Sequence, residues 1–251
     1  MTIAAIHYFP VKGLSHQPLT RVALVAGETL PQDRRFAILH RASGFDAAEP
    51  AWKPKSNFLM LQRDEKLATL EARYDADSCT LVLLRAGKPV ARGRIDTPTG
   101  RLLIDQFLSA YMHGSAAPGP YKLVEWQGHA FTDIPDKAVS LINLGSVKDL
   151  ERVTTAPVDP VRFRGNLLLD GLEPWAEMQW VGRRLRIGGA ELEVFKTITR
   201  CAAIEVNPAS GERDMALIKA LKSGFGHVVC GVYARVVTAG EVAVGDGLSL
   251  G

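Results

Sequence analysis

The 251-residue sequence predicts a mainly β fold of the α+β class: two packed β-barrel-like domains with a few short peripheral helices. Two observations carry that expectation. Most apolar runs are short and end at Gly, Pro, Asp or Asn, which is how strands are punctuated by turns. Only three segments show the spacing of an amphipathic helix. In chain order, the expected strands are Ile3–Tyr8, Leu19–Leu24, Arg35–His40, Phe58–Gln62, Thr69–Tyr74 and Thr80–Leu84 in the first half. Leu123–Glu125, Leu167–Leu169, Arg184–Ile187, Ala190–Ile198, Ala203–Val206 and Val228–Thr238 follow in the second. The segment "RLLIDQFLSAYM" has apolar residues at 102, 103, 107, 108 and 111 and reads as the first helix. "GSVKDLERV" offers Ser146 as an N-cap for a second, and "DMALIKALKSGFG" opens on Asp214 and reaches Gly224 for a third. The turn-rich stretches Gly171–Gly189 and "GEVAVGDGLSL" have the style of barrel or sandwich strands. An N-terminal domain is expected over residues 1–110 and a larger one over 111–251, packed together with a site at their junction.

Composition excludes several function classes. A content of 47% hydrophobic and 23% charged residues is that of a soluble globular chain with a sizeable core. A net charge of +3 with both signs interspersed gives no nucleic-acid footprint. No apolar run is long enough to span a membrane, and "MTIAAIHYFPVKG" lacks the features of a signal peptide, so the expected location is cytoplasmic with no membrane partner. Gly224-Phe225-Gly226 does not join a strand to a helix, which excludes a dinucleotide site. The six histidines form no pair at metal-binding spacing, and His40 and His227 read as structural or exposed. Cys79, Cys201 and Cys230 form neither a disulfide framework nor a CxxC pair, so special cysteine chemistry rests on a single thiol.

Taken alone, Cys201 is a small buried apolar residue or a soft metal ligand, and its spacing leaves both open. In "VRFRGN", strand alternation would put Arg162 and Arg164 on one face, away from Phe163. By the same rule Thr199 shares a face with Cys201 and Arg200 points the other way.

Six blocks occur in a telling order: "YFPVKGL" (8–14), "LPQDRRFAIL" (30–39), "VRFRGNLLLDG" (161–171), "PWAEMQWVG" (174–182), "TRCAAIEVNPASG" (199–211) and "CGVYARVVTAGEVAVGDGL" (230–248). Together they resemble the MOSC proteins, in the arrangement that adds an N-terminal β-barrel domain, and are similar to the mitochondrial amidoxime-reducing components and their bacterial relatives. The resemblance implies a molybdenum–molybdopterin cofactor between the domains, with Cys201 as metal ligand and catalytic residue. It further implies cofactor contacts from Lys12, Arg34, Arg164, Asn166, Thr199 and Tyr233. Where relatives carry a serine after the lysine, Gly13 offers only its backbone N–H. The implied activity is reduction of a small N-hydroxylated substrate by electrons from an external donor of ferredoxin, flavin reductase or cytochrome type, since no cysteine set for an iron–sulfur cluster is present. Two other readings stay open: a sulfur carrier using a Cys201 persulfide, and a protein that holds the cofactor without turnover.

Overall fold

Period-two burial organises the longest strands, and it places the main core. The computed structural model describes residues 1–251. The first half of the chain forms β1 (Thr2–Tyr8), β2 (Gln17–Leu19), β3 (Arg21–Leu24), β4 (Phe36–Leu39), β5 (Glu71–Asp75), β6 (Thr80–Arg85), β7 (Lys88–Arg94) and α1 (Pro98–Tyr111). The second half forms β8 (Lys122–Glu125), β9 (Val139–Asn143), α2 (Leu144–Thr154), β10 (Leu167–Asp170), β11 (Arg184–Ile187), β12 (Ala190–Thr199), α3 (Leu217–Phe225), β13 (Val229–Thr238), β14 (Gly240–Ala243) and β15 (Leu248–Leu250). The mainly β class with short helices is therefore the observed one.

Eight strands join in the order β15-β11-β12-β13-β9-β10-β1-β2. The sheet curls until β1 meets the approach to β15 at a bridge between Thr2 and Gly247, and Leu248 N–H donates to Met1 O at 3.1 Å. Ala190, Leu192 and Val194 of β12 point inward with Leu185, Ile187, Val232 and Ala234 from its neighbours, filling a cluster of 21 buried residues. Gly231 is required where β13 crosses β9: its φ is +80°, and a Cβ there would stand 2.4 Å from Leu141 O. A second cluster of 18 buried residues lies under β5–β7, β4, β8 and α1. Helices α2 and α3 cover the outer face of the main sheet over a third cluster. No helix is long and apolar enough to cross a membrane.

The expected division at residue 110 does not follow the strand pairing. Ile3, Ile6 and Tyr8 can only be buried against the main core, so β1 sits between β10 and β2, and β3 pairs with β14. Helix α1 begins before Arg101, because the Thr97 side chain accepts from Gly100 N and Pro98 suits the first turn. Ser146 is not the cap of α2: Asn143 is, and Ser146 is buried with its hydroxyl donating to Glu177 at 2.8 Å. Nor does Asp214 open α3, since it is held by Arg162 and Asn207; the helix starts at Leu217 and ends on Gly226 at φ +76°. Ala203–Val206 is a 3-10 turn rather than a strand, closed by Ile204 N–H donating to Cys201 O. Phe58–Gln62 supplies one bridge, Leu39 to Phe58. Strand β9 was not expected because it is buried on both faces and shows no alternation, and β7 because it is mostly exposed and polar.

Candidate functional site

A cavity of about 470 Å³ opens where the loops after β1, β3 and β8 face the ends of β12 and β13. Lys12, Arg34, Arg164, Asn166, Thr199, Cys201 and Tyr233 all line it. Their environments differ, and the differences say what each can do.

Lys12 leaves β1 through Pro10 and Val11 and is almost fully buried. Its ammonium donates to Phe131 O at 2.9 Å and to Asp133 Oδ1 at 2.5 Å. Burial lowers the Lys12 pKa against the pull of Asp133. On Asp133 burial acts upward but is outweighed by Lys12 and Lys55, which bring its carboxyl down to about 2. Gly13, at φ +87°, lets the chain turn beneath the cavity; it is buried, and its N–H has no acceptor within the chain.

Arg34 and Arg164 both adopt left-handed backbone, at φ 49° and 52°, and place their guanidinium groups on the Phe9 ring at 4.7 and 4.2 Å. Arg34 is neutralised by buried Asp33, which also accepts from Phe9 N at 2.8 Å, and it donates to Arg164 O at 2.9 Å. Arg164 has no carboxylate partner. It donates from Nη1 to Leu14 O at 2.8 Å, while its buried Nη2 has no partner at all. Burial, followed by the charge of Arg34, pushes its pKa down to about 9.

Asn166 is committed to structure: Oδ1 accepts from Ser140 N and Oγ, and Nδ2 donates to His7 O at 3.2 Å. Cys201 follows the end of β12 and is partly buried. Thr199 pairs with Val229 at the last rung, its side chain exposed. Tyr233 is half-buried, its hydroxyl makes no hydrogen bond within the chain, and burial raises its pKa.

The alternation argument fails both at Arg162 and Arg164 and at Arg200. Pro160–Phe163 is a 3-10 turn and Arg164 follows it in left-handed backbone, so Arg162, Phe163 and Arg164 all line the cavity, Arg162 buried and paired with Asp214 at 2.8 Å. Arg200 is not turned away from Cys201's surroundings. It lines the cavity, donating to Cys230 O from Nε at 2.8 Å and to Phe163 O from Nη1 at 2.8 Å. This brace ties the residue before Cys201 to β13. Lys55, Asp33 and Asp133 also line the cavity and were missed. Asp33 stood in view inside "QDRRF", whereas Lys55 and Asp133 come from loops with no pattern. Lys55 lies 4.0 Å from Asp133 Oδ2; burial lowers its pKa, but the neighbouring Cys201 thiol and Asp133 raise it overall.

The other cysteines are elsewhere. Cys230 is fully buried with its thiol pushed up to about 12, and Cys79 lies on the β5–β6 hairpin. His40 is structural, bonded through Nε2 to Ser56 O at 2.7 Å, and His227 packs on Trp175 and Phe225. His7 and His16, on either side of the turn after β1, bring their ring centroids to 4.1 Å. No group of three or more His, Cys, Asp or Glu is suited to hold a metal ion. A metal in the cavity would therefore have to arrive with most of its own ligands, leaving one soft thiolate for the protein to add. The unpaired donors of its lining residues, Trp52 Nε1, Arg162 Nε, Arg164 Nη2, Gly13 N–H and the Tyr233 hydroxyl, suit a polar anionic group of that kind. The residues present fit a metal carried on an anionic organic ligand.

The family model of the MOSC domain matches residues 119–249, more than half of the chain. The chain belongs to the MOSC domain family. The matched span of this MOSC protein holds Arg164, Arg200, Cys201 and Tyr233, while Lys12, Arg34 and Lys55 lie before it. Among curated proteins it is similar to the molybdenum cofactor sulfurase of Caenorhabditis elegans, 38% identical over 91 residues that cover 36% of this chain and 13% of that protein. The MOSC chain thus spans about an eighth of the sulfurase's length. It is also similar to mitochondrial amidoxime-reducing component 1 of Homo sapiens, 22% identical over 237 residues, covering 84% of this chain and 67% of that one. Among solved structures, the YUAD protein from Bacillus subtilis shares the fold at a TM-score of 0.50 and 11% identity, over 99% of this chain and 94% of that one.

Proposed function

We propose that this MOSC protein is a molybdenum cofactor-dependent oxidoreductase that reduces N-hydroxylated compounds with electrons from an external donor. The observation that carries the proposal is the meeting of one accessible thiol with unpaired hydrogen-bond donors and cationic side chains in a single cavity. The similarity to an amidoxime-reducing component over most of the chain supports the reaction type.

Each residue has a physical task in this reading. Cys201 supplies a soft thiolate to the metal, a ligand that a hydroxyl cannot replace. Lys12, Arg34 and Arg164 hold the cofactor's anionic group, with Gly13 N–H as a further donor and Arg164 Nη2 gaining the partner it lacks. Tyr233 keeps its proton at neutral pH, because burial raises its pKa, and so acts as a donor into the cavity. Arg200 fixes the strand end that carries Cys201. When bound, the molybdenum centre supplies two-electron chemistry: the N–O bond of an amidoxime breaks, two electrons and two protons enter, and amidine and water leave. The electrons come from a separate one-electron donor of ferredoxin, flavin reductase or cytochrome type.

The test is to purify the protein from a cofactor-competent host, measure molybdenum and oxidised-pterin fluorescence, and assay benzamidoxime with reduced viologen or NADH. Molybdenum and pterin near one per chain, with turnover on viologen and none on NADH alone, is the expected result. Absence of both metal and pterin would overturn the proposal in favour of a Cys201 persulfide carrier. Full loading without turnover would reduce the protein to a cofactor holder.

A further inference from the structure

The cavity is far more basic than the protein. Seven basic and two acidic side chains line it, in a chain whose net charge is only +3. Lys12 takes Asp133, Arg34 takes Asp33, and Arg162 takes Asp214 from outside the lining. Arg200 is held by backbone carbonyls, and Arg164 belongs with Lys12 and Arg34 at the proposed cofactor anion. Two cations remain. Lys55 stands beside the Cys201 thiol, and its one carboxylate contact is the second oxygen of Asp133 at 4.0 Å, a carboxylate that already holds Lys12 at 2.5 Å. Lys196 is exposed and makes no ion pair or side-chain hydrogen bond in the chain.

The position of Lys196 is built by the strand. Strict alternation along β12 would put it on the face of Val194 and Ile198, both buried in the core. Instead Val194 pairs with Ala234 and Lys196 with Tyr233, so Phe195 is an extra residue and a bulge interrupts the ladder there. A bulge re-aims the side chain that follows it. Here it brings Lys196 opposite Tyr233, and both line the cavity beside Cys201. A cofactor's own anionic group can answer the cations around Arg164, which leaves Lys55 and Lys196 to answer something else.

We infer that Lys55 and Lys196 form an anion-recognising rim, so that the substrate is a small N-hydroxylated compound bearing an oxyanion such as a carboxylate. The inference rests on the reaction proposed above for the same cavity, and it narrows that reaction's substrate class. Charge at a rim acts on binding and encounter rather than on the bond that breaks, so selectivity should appear in KM and fade with salt.

The experiment compares 4-carboxybenzamidoxime with 4-aminomethylbenzamidoxime on the cofactor-loaded protein driven by reduced viologen, and measures binding of both by calorimetry. Two rim ion pairs, each giving between about 1.4-fold and about fivefold, should together favour the carboxylate by about two- to twenty-five-fold in kcat/KM at low salt. Lys196→Glu should reverse the preference, Lys196→Gln should shrink it, and Lys196→Arg should retain it. Equal kcat/KM for the two compounds, or a preference unmoved by both Lys196→Glu and Lys196→Gln, would overturn the inference. Failure of the reaction itself reads differently. If neither compound is reduced yet the carboxylate binds more tightly and loses that advantage in Lys196→Glu, the rim stands and the reductase proposal falls. Equal binding of both compounds, again without reduction, would remove both.

Discussion

The two walls of the cavity are built by opposite means. The wall carrying Lys12, Arg34 and Arg164 is loop, with Arg34 and Arg164 in left-handed backbone and a buried aspartate at Asp33. Its charges are held by side-chain bonds: Asp33 to Arg34 and Phe9 N, Asp133 to Lys12, and Phe9 beneath both guanidinium groups. The wall carrying Thr199, Cys201 and Tyr233 is the end of two long paired strands, where backbone hydrogen bonds and the Arg200 brace fix position and the functional side chains have few partners of their own. The loop wall spends polar contacts to keep charge buried, whereas the strand wall keeps a thiol and a phenol free. Damage to the first should therefore appear as lost stability and lost anion binding, and damage to the second as lost chemistry in a folded protein.

The largest contrast is expected on the strand wall. Cys201→Ser abolishes molybdenum-dependent turnover while the melting temperature stays near wild type, checked by assay and calorimetry on the same samples. Cys79→Ser changes neither. On the loop wall, Asp33→Ala removes the partner of a buried guanidinium and of Phe9 N–H, and should cost about 3–5 kcal/mol in denaturant unfolding. A smaller change would mean that Arg34 finds water instead. Cys230→Ser lies between the two cases. Its thiol, pushed up to about 12 by burial, does no chemistry, but a hydroxyl in that apolar site should cost about 1–3 kcal/mol while turnover per folded molecule is kept.

What was legible in the chain follows the same contrast. The strands β12 and β13 were legible from their apolar runs, and the strand wall at Thr199 and Cys201 could be read only together with the "TRC" block. The loop wall could not. Arg164 reaches the cavity from a 3-10 turn and a left-handed residue, which no two-residue period describes. Lys55 and Asp133 are brought in by tertiary packing of loops. Arg200 was misjudged because β12 ends at Thr199, after which alternation no longer decides where a side chain points.

Two pH experiments sharpen the comparison with smaller effects. Arg164 has a folded pKa of about 9, below its ordinary value of 12.5, so the unfolded chain binds more protons between those values. Stability of the cofactor-free protein should therefore rise as pH increases through 9, by an increment absent in Arg164→Met. An equal rise in both proteins would show that Arg164 is already compensated. His7 has a folded pKa of about 4 against 6.5, through burial first and then the His16 charge. Stability should fall as pH drops from about 6.5 to 4, and His7→Gln should flatten that slope. A slope unchanged in His7→Gln would assign the acid loss to other groups.

The central claim is that Cys201 and the charged loop wall hold one ligand between them. It is tested most directly by molybdenum and pterin content with X-ray absorption at the molybdenum edge, on wild type and Cys201→Ser purified alike. The expected result is a sulfur shell in wild type that loses one scatterer in Cys201→Ser, with pterin still held in part by Lys12, Arg34 and Arg164. Full molybdenum with an unchanged sulfur shell in Cys201→Ser would contradict it.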